Sequence, residues 1–379
     1  MVFELSGEHN VLRHMFREFA EAEVAPIANE IDENDRFPME TVEKMRPVGF
    51  FGIPFPRELG GTGGDNLGYA LAVEELSRAC ATTGVILSAH VSLGASPIFE
   101  FGSTEQKERH LTPLASGQTL GAFGLTEPNA GTDAAAQQTT AVLDGDEYVL
   151  NGTKMFITNA GYADTYIIMA MTDKSVGTRG ISAFIVPGDT PGFSQGPKEH
   201  KLGIRGSATS ELIMENVRIP KENLIGKEGE GFKIAMKTLD GGRIGIAAQA
   251  LGIAQGALDK TLEYVKERRQ FKRSIAKFQN TQFEIADMWS RIEAARLLVY
   301  RAAWFKDNKR RYSEQAAMAK LVASETAMNV ATRAIQLHGG YGFIREYEVE
   351  RMFRDAKITE IYEGTSEVQK MVISAGLLN

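Results

Sequence analysis

The spacing of apolar residues changes twice along the chain, and this change constrains the fold more than any other feature. Up to about residue 120, apolar positions recur at helical intervals and prolines divide the segment into short helices. From about residue 121 to 217, short β-type runs alternate with turns and no long helix interrupts them, which predicts an antiparallel sheet. After Gly231 the helical period returns and persists.

Three long apolar stripes after Gly231 predict a helical bundle. They run from Ile244 to Val265, from Ile285 to Ala302 and from Ala319 to Ala334. The predicted strands of the preceding region are 148–150, 155–158, 166–171, 181–186 and 212–214. We therefore predict an α+β fold. Its predicted parts are an N-terminal helical domain (1–120), a central antiparallel β domain (121–230) and a C-terminal four-helix bundle domain (231–379).

Composition and charge exclude several classes of protein. The 379 residues are 43% hydrophobic and 24% charged, which is ordinary for a globular chain with more than one core. The formal net charge is −7 and no basic block is present, so nucleic-acid binding is not expected. The one cysteine, Cys80, rules out an internal disulfide and suggests a reducing compartment. The sequence shows no targeting segment and no uninterrupted apolar run that predicts a membrane span, so we expect a cytoplasmic protein.

Common cofactor and nucleophile motifs fail on their context. No glycine pattern has both the spacing and the preceding strand of a dinucleotide fingerprint, and Gly226-Lys227 lacks the earlier glycine of a P-loop. The six histidines lack H-E-x-x-H spacing, so no metal site is predicted. Residues 192–196 match G-x-S-x-G, but Pro197 and a charged run follow where a nucleophile elbow needs a helix.

One carboxylate stands out near the C-terminus, in the run Y-E-G-T-S at 362–366. Ser366 and Gln369 have the spacing of a capping box, which predicts a helix that begins at Ser366. Glu363 would then lie just outside the positive end of that helix, where a catalytic base can sit. The alternative is a solvated acid before an ordinary capped surface helix.

Two earlier segments offer polar groups to a flat ligand. Residues 121–133 place the hydroxyls of Thr126 and Thr132 and several backbone N–H groups around a Glu-Pro turn, at the border of the helical and β domains. Residues 154–161 end a strand with an aromatic residue and Thr158, which could flank the same ring. Taken alone, the first segment is equally an ordinary interdomain turn, and the second is simply a strand.

Six segments together resemble the acyl-CoA dehydrogenase family. They occur in the family's order and spacing and span essentially the whole chain. Within the family the resemblance is strongest to the short-chain branch, which includes the butyryl-CoA dehydrogenases of anaerobic bacteria. The family's domain order is also helices, β domain and four-helix bundle. The segments are GAFGLTEPNAGTD (121–133), KMFITNAG (154–161), LDGGRIGIAAQALGIAQGAL (239–258), ERRQFKRSIAKFQNTQ (267–282), QLHGGYG (336–342) and IYEGTSEVQ (361–369).

The resemblance implies FAD as cofactor, bound between the β domain and the bundle, with its adenine end reaching another subunit of a homotetramer. The residues implied to contact the isoalloxazine are Phe123, Leu125, Thr126, Gly131, Thr132, Phe156, Ile157 and Thr158, the last near the reactive N5. Those implied to hold the ribityl, pyrophosphate and adenine parts are Arg268, Phe271, Gln279, Gln336, Leu337, His338, Gly339, Gly340, Thr365, Ser366 and Glu367. The run Lys272-Arg273-Ser274 departs from the family's usual Gly-Lys-Pro and puts the loop geometry near the adenine in doubt.

The resemblance also implies the chemistry. Glu363 matches the family's base, which removes the thioester α-proton while its own backbone N–H and a ribityl hydroxyl bind the enolate oxygen. Substrate contacts are implied for Thr132, Asp240, Arg243, Tyr362 and Gly364. For Asp240 and Arg243, a salt bridge near the start of a helix is the alternative. Gly242 excludes the isovaleryl-type arrangement, in which the base directly precedes that arginine.

The resemblance leads us to expect one function and leaves three competing ones open. We expect FAD-dependent α,β-dehydrogenation of a short-chain acyl-CoA, of the butyryl-CoA to crotonyl-CoA type, with electrons passed to an electron-transferring flavoprotein. The first competing function is the same couple run in reverse as enoyl-CoA reduction. The second is a dehydrogenase for a branched, aryl or medium-chain acyl-CoA. The third is a catalytically silent family member that serves as a scaffold or assembly factor.

Overall fold

The N-terminal domain consists of short helices, as its prolines predict. Pro97 and Pro113 each lie in the first turn of a helix, where a missing N–H leaves no hydrogen bond unmade. The computed structural model describes residues 4–378. The α-helices of this domain are α1 (Gly7–Phe19), α2 (Ala28–Glu33), α3 (Met39–Val48), α4 (Asn66–Ala79), α5 (Ala81–Ser88), α6 (Ser96–Phe101), α7 (Thr104–Gln106) and α8 (Thr112–Ala115).

The central domain is a sheet of eight strands. They are β1 (Gly121–Gly124), β2 (Thr140–Asp144), β3 (Glu147–Thr158), β4 (Thr165–Met171), β5 (Ile181–Pro187), β6 (Phe193–Lys198), β7 (Thr209–Pro220) and β8 (Leu224–Ile225). The order is β6-β7-β3-β2-β4-β5-β8, and β1 pairs with β4. The predicted antiparallel β domain is confirmed, with two local exceptions: β1 and β2 both run parallel to β4. The β2–β3 hairpin makes the crossover from β1 that parallel pairing requires, in place of a helix.

Strand β4 is buried on both faces and separates two cores. Ile167, Met169 and Met171 point into the core shared with the helices, whereas Tyr166 and Ile168 point into a second core within the β domain. Successive side chains of a strand alternate between faces, so an unbroken apolar run is what a doubly covered strand needs. The sheet is therefore fixed against the helices along β4.

The C-terminal domain is the predicted helical bundle. Its helices are α9 (Gly231–Glu267), α10 (Gln279–Asp307), α11 (Ser313–His338), α12 (Val349–Ile358) and α13 (Ser366–Leu378), and a short hairpin of β9 (Arg269–Gln270) and β10 (Arg273–Ser274) joins α9 to α10. The three predicted stripes lie on α9, α10 and α11, and α12 packs against both α9 and α11. The fold class predicted from the sequence is therefore confirmed.

Helix α9 is buried on nearly all sides over its middle turns. Helices α4 and α5 cover one side, while α10 and α11 cover the other. Gly252 permits the close approach of α4, since a Cβ there would lie 2.3 Å from the Glu74 carbonyl oxygen. The N-terminal helices and the bundle consequently share one hydrophobic core, which makes α9 a rigid support for any site along it.

One helical stretch is long and apolar enough to cross a membrane. It runs from Ala81 to Phe101, because a π-helical segment, Ala89–Ala95, joins α5 to α6. Within residues 4–378 no other helix meets these criteria, and 78% of its apolar window is buried inside the protein. It packs against α9 and β1 and belongs to the core.

Candidate active site

Glu363 lies in the turn between α12 and α13, and the turn directs its carboxylate back onto α9. Both Glu363 (φ +52°) and Gly364 (φ +93°) occupy the left-handed region of backbone space, which is strained for the glutamate. A Cβ on Gly242 would lie 1.8 Å from Glu363 Oε2. The carboxylate therefore occupies the space that a side chain at position 242 of α9 would take.

The helix after this turn begins at Ser366, as predicted, but the predicted capping box is wrong. The Ser366 hydroxyl has no hydrogen-bond partner among residues 4–378, and the Thr365 hydroxyl accepts the Val368 N–H instead. The Gln369 side chain does not cap the helix; its Nε2 donates to the carbonyls of Glu363 (3.3 Å) and Gly364 (2.7 Å). The glutamine is used to hold the strained turn, which spacing alone cannot reveal.

The Glu363 carboxylate is electrostatically unusual. Although part of the residue reaches solvent, Oε2 is buried and makes no hydrogen bond within the described chain. Burial raises the pKa of Glu363 to about 8, against the opposing effects of the Lys320 and Arg243 cations. A carboxyl with this pKa can exchange a proton near neutral pH.

The residues predicted to contact substrate mostly lie around this carboxylate. Arg243 and Asp240 are both buried on α9 and form an ion pair of 2.7 Å, so the salt bridge offered as the alternative is present. The Arg243 Nε remains buried without a partner in residues 4–378, so the pair does not use the whole guanidinium. Thr132 is the exception, since it lies exposed on the loop after β1.

Sequence reasoning missed Gln249, which fixes the tyrosine next to the candidate base. The Tyr362 hydroxyl donates to Gln249 Oε1, and Gln249 Nε2 donates to the Ala81 carbonyl at 3.0 Å. Gln249 is fully buried in the middle of α9. A buried glutamine in an apolar helix is a signal that sequence offers, but its partner cannot be read from spacing.

Lys320 was also missed, and it contacts the same turn from α11. Its side chain is fully buried and its Nζ donates to the Gly364 carbonyl at 2.8 Å. The available signal was its position, because Ala316, Ala323 and Ala327 lie on the same buried face at helical spacing. A lysine on such a face needs a partner.

The loop after β1 is anchored by a buried ion pair that the sequence did not indicate. Lys154 Nζ lies 2.7 Å from Glu127 Oε1 and 3.2 Å from the Leu125 carbonyl. Glu127 Oε1 also accepts the Thr139 N–H at 3.0 Å. Burial would raise the pKa of Glu127, but Lys154 and these donors outweigh it and lower that pKa. The pair fixes the loop that carries Thr126 and Thr132.

At the end of β3, one of the predicted ring contacts is turned outward. The register with β7 shifts between Lys154 and Ile157, and Phe156 inside this bulge has φ +60° and is 61% exposed. Phe123, Leu125 and Ile157 are buried. Thr126 is half-buried and its carbonyl accepts the Met155 N–H, which joins the two predicted segments. Gly131 is exposed near Thr132, and Thr158 is half-buried.

A separate pocket of about 470 Å³ brings together part of the second predicted cofactor set. Arg268 lines it from the end of α9, and Gln336 to Gly340 line it from the end of α11. Phe271 and Gln279 are exposed and do not line it, and neither do Thr365, Ser366 and Glu367, which lie beside the Glu363 turn. Sequence reasoning missed the remaining lining residues, which are Tyr264, Gln270, Ile275, Tyr341 and Ile344.

His338 forms a wall of this pocket rather than a free base. Its ring stacks on Tyr264 with centroids 4.2 Å apart, and its Nδ1 contacts the Ala334 carbonyl at 2.8 Å. Burial lowers the pKa of His338, so the imidazole is neutral at neutral pH. Arg268 stacks over Tyr341 at 5.1 Å and has no carboxylate within salt-bridge distance in residues 4–378, so its charge is available to an anion.

Comparison with known proteins gives a consistent result along the whole chain. Three family models match: the acyl-CoA dehydrogenase N-terminal domain at residues 6–118, the middle domain at 122–217 and the C-terminal domain at 229–378. A short-chain specific acyl-CoA dehydrogenase of Clostridium acetobutylicum is 63% identical over 99% of each chain. Butyryl-CoA dehydrogenase from Megasphaera elsdenii superposes with a TM-score of 0.98 at 52% identity, covering 100% of both chains. A chain in the solved structure described as "Electron transferring flavoprotein of Acidaminococcus fermentans: Towards a mechanism of flavin-based electron bifurcation" gives 0.99 at 57% identity, with the same coverage.

Proposed function

The chain belongs to the acyl-CoA dehydrogenase family, and we propose that it catalyses the FAD-dependent α,β-dehydrogenation of a short-chain acyl-CoA. The observation that carries the proposal is the Glu363 carboxylate, whose Oε2 is buried without a hydrogen bond in the described chain and whose pKa is raised to about 8. The α-proton of a thioester is only weakly acidic, so a base that holds a proton well near neutral pH suits its removal.

In the proposed mechanism Glu363 takes the α-proton onto its carboxylate. The Glu363 backbone N–H has no acceptor within residues 4–378, so it can donate to the thioester oxygen as negative charge develops there. Leu93 and Gly242 of α9 lie beside the carboxylate, and its Oε2 is buried. FAD, when bound, supplies the acceptor for the β-hydride.

The residues of this chain fit FAD. Arg268 offers an uncompensated cation to a pyrophosphate. A Cβ built on Gly339 or on Gly340 would have no atom of residues 4–378 within 4 Å apart from its chain neighbours, so a ligand can approach that backbone. The hydroxyls of Thr126 and Thr158 make no hydrogen bond within residues 4–378 and remain available to a polar ring. These groups would hold the cofactor at its two ends.

A short acyl chain is favoured by the walls near the base. Tyr362 and Gln249 hold one another by a hydrogen bond, and Gln249 is tied in turn to Ala81. Separating buried hydrogen-bonded groups costs about 1–3 kcal/mol for each one left unpaired, so these side chains resist displacement by a longer chain. We propose that they close the acyl pocket after a few carbons.

The proposed electron partner is an electron-transferring flavoprotein. The similarity to the Acidaminococcus fermentans structure supports this partner. The proposed assembly is a homotetramer in the cytoplasm. Contact between subunits is supported by Phe271, which is 88% exposed, and by Gln279, because neither lines the pocket of its own chain and each is free to complete a cofactor site on another subunit.

The reverse reduction uses the same geometry, with Glu363 returning the proton to the α-carbon. A catalytically silent role is disfavoured by the cost of the site. Burying a carboxylate oxygen without a hydrogen bond destabilises the fold, and a scaffold gains no function in return for that loss.

An anaerobic titration with acyl-CoAs of increasing length tests the proposal. The purified protein should be yellow, and butyryl-CoA should bleach it faster than octanoyl-CoA at equal concentration. Faster bleaching by octanoyl-CoA would overturn the short-chain assignment, and no bleaching by any acyl-CoA would overturn the activity.

A further inference from the structure

Lys320 is a buried cation that the proposed mechanism does not yet use. It lies on α11 with none of its side chain exposed, and its one hydrogen bond within residues 4–378 goes to the Gly364 carbonyl. An ammonium group has three donors and is costly to bury, so one neutral acceptor does not account for its place in the core. Glu363 directly precedes Gly364 in the chain, and its carboxylate is the strongest stabilising charge for the Lys320 ammonium group.

The contact with Gly364 clamps the turn that aims the base. The Gly364 carbonyl accepts from both Lys320 Nζ (2.8 Å) and Gln369 Nε2 (2.7 Å). Two consecutive residues with positive φ persist only where the surroundings hold them. Lys320 reaches the turn from α11 and Gln369 from α13, so the turn is fixed to two helices.

The charges that face this pair are few and identifiable. The carboxylates of Glu363, Glu360 and Glu367 stabilise the charged form of Lys320. The cation of Arg243 destabilises it. Glu363 is faced by Lys320, then by Arg243, and by the buried hydroxyls of Tyr362 and Tyr69.

Burial moves the pKa values of Lys320 and Glu363 toward each other. It raises that of Glu363 to about 8, and Lys320 is the strongest of the influences that oppose the rise. Burial lowers the pKa of Lys320 to about 8, and Glu363 is the strongest opposing influence there. Each group is therefore the strongest stabilising charge for the other.

We infer that Lys320 is a positioning residue for the reaction, which fixes the Glu363–Gly364 turn and supplies a buried positive charge that favours the ionised, proton-accepting form of the Glu363 carboxylate. This inference rests on the proposed function, because it concerns the same base. Loss of Lys320 removes the clamp and the charge together, whereas loss of Gln369 removes only part of the clamp. The two contributions can therefore be separated.

The test is the pH profile of flavin reduction by butyryl-CoA in a single anaerobic turnover. An opposite charge close to a carboxylate lowers its pKa by roughly 1 to 3 units. Lys320→Met and Lys320→Gln should both move the midpoint of the profile upward by at least about one pH unit, and the glutamine can still donate to Gly364. Lys320→Arg keeps the charge and should keep the midpoint, whatever its maximal rate. Gln369→Leu should slow the reaction without moving the midpoint.

Two controls separate this inference from a structural effect and from the proposed function. Ser324→Ala removes a buried hydroxyl one turn further along α11 and should leave the midpoint unchanged. Amide hydrogen exchange at 361–369 should quicken in Lys320→Met, which reports the clamp without activity. If Lys320→Met and Lys320→Gln both keep the midpoint of the wild type, the role of Lys320 is overturned. The proposed activity still stands in that case, provided that butyryl-CoA bleaches the flavin of the wild-type protein. If Glu363→Gln retains wild-type reduction, the base assignment itself fails.

Discussion

The pKa values of two glutamates with buried carboxylates, Glu127 and Glu363, are shifted in opposite directions. Glu127, in the loop after β1, accepts hydrogen bonds from Lys154 and from backbone N–H groups, and these lower its pKa despite burial. Glu363 has no hydrogen bond at Oε2 within the described residues, and burial raises its pKa to about 8. The residue type is the same, and the number of donors that the fold aims at the carboxylate decides the difference.

The contrast separates a carboxylate that builds the site from one that acts in it. A satisfied buried ion pair fixes its surroundings, and its charge cannot easily be withdrawn. A carboxylate left without donors is costly, so it persists where a ligand or a proton will be its partner. The fold thus places a rigid anchor on the side of the predicted flavin contacts and a reactive group on the side of the predicted substrate contacts.

The largest expected effect comes from removing the reactive group. Glu363→Gln keeps the volume but cannot accept the α-proton, so flavin reduction by butyryl-CoA should fall by about 10² to 10⁴-fold. The variant should still be yellow, since no predicted flavin contact changes. Stopped-flow absorbance measures the rate, and retention of more than about a tenth of it, a loss of under ~1.4 kcal/mol in barrier, would mean that another group removes the proton.

Breaking the anchor should damage stability instead of chemistry. Lys154→Met leaves Glu127 buried and unpaired, which should cost about 3–5 kcal/mol in the free energy of unfolding and loosen the bound flavin. Urea unfolding and flavin loss on dialysis measure the two effects. The matched control is Lys221→Met, which removes an exposed lysine paired with Asp146 and should change stability little. Equal losses in the two variants would contradict the anchoring role.

The two glutamates should also give opposite pH dependences of stability. The folded pKa of Glu363 lies above its ordinary value of 4.5, so the folded state keeps a proton that the unfolded state releases. The stability of the wild type relative to Glu363→Gln should therefore fall as pH rises from about 4.5 to about 8, by at most ~1.4 kcal/mol per unit. The folded pKa of Glu127 is lowered, so its contribution is present above 4.5 and is lost as pH falls.

Urea unfolding of the wild type, Glu363→Gln and Glu127→Gln measures both signs when it extends from well below pH 4.5, where the Glu127 contribution is lost, to about pH 8, where the Glu363 contribution is lost. For each variant, the difference in the free energy of unfolding from the wild type is plotted against pH. Parallel plots for the two variants would contradict the opposite pKa shifts of Glu127 and Glu363.

The smallest effect expected extends the comparison to a cation. Arg268 has no carboxylate partner in residues 4–378, so it resembles Glu363 in awaiting a ligand. Arg268→Ala should weaken FAD retention by roughly 1.5–3 kcal/mol, the worth of a charge-assisted hydrogen bond. Equilibrium flavin binding after dialysis checks this, with Arg269→Ala on the exposed hairpin as control. Equal retention of FAD in Arg268→Ala and Arg269→Ala would mean that Arg268 does not contact the cofactor.

The fold was predictable because long-range order in this chain follows local periodicity. The stripes from Ile244, Ile285 and Ala319 each need one helix face against a core, and α9, α10 and α11 provide it. The parallel pairing of β1 with β4 was not predictable in this way, because no helix marks the crossover and strand patterns do not encode the partner.

The site was predictable in its reactive residue but not in its supports. The sequence indicated Glu363 through its motif and through Gly242, which leaves room for it. The capping box failed although Ser366 and Gln369 have its spacing, because the Ser366 hydroxyl makes no hydrogen bond within residues 4–378 and the Gln369 side chain holds the Glu363–Gly364 turn instead. Lys320 and Lys154 act through contacts with residues far away in the chain, and no local pattern reports such a partner.

The contact between Gly242 and Glu363 restricts how this site can change over evolutionary time. Position 242 and the Glu363 carboxylate claim the same volume, since a Cβ on the glycine would lie 1.8 Å from Oε2. A lineage that transfers the acid to α9 has to change both positions, and each order of change has a consequence. Acquiring the second side chain first crowds two groups into one space, and losing the first acid beforehand leaves an inactive ancestor. The two positions are therefore coupled, because a side chain at position 242 and the present placement of the Glu363 carboxylate exclude each other.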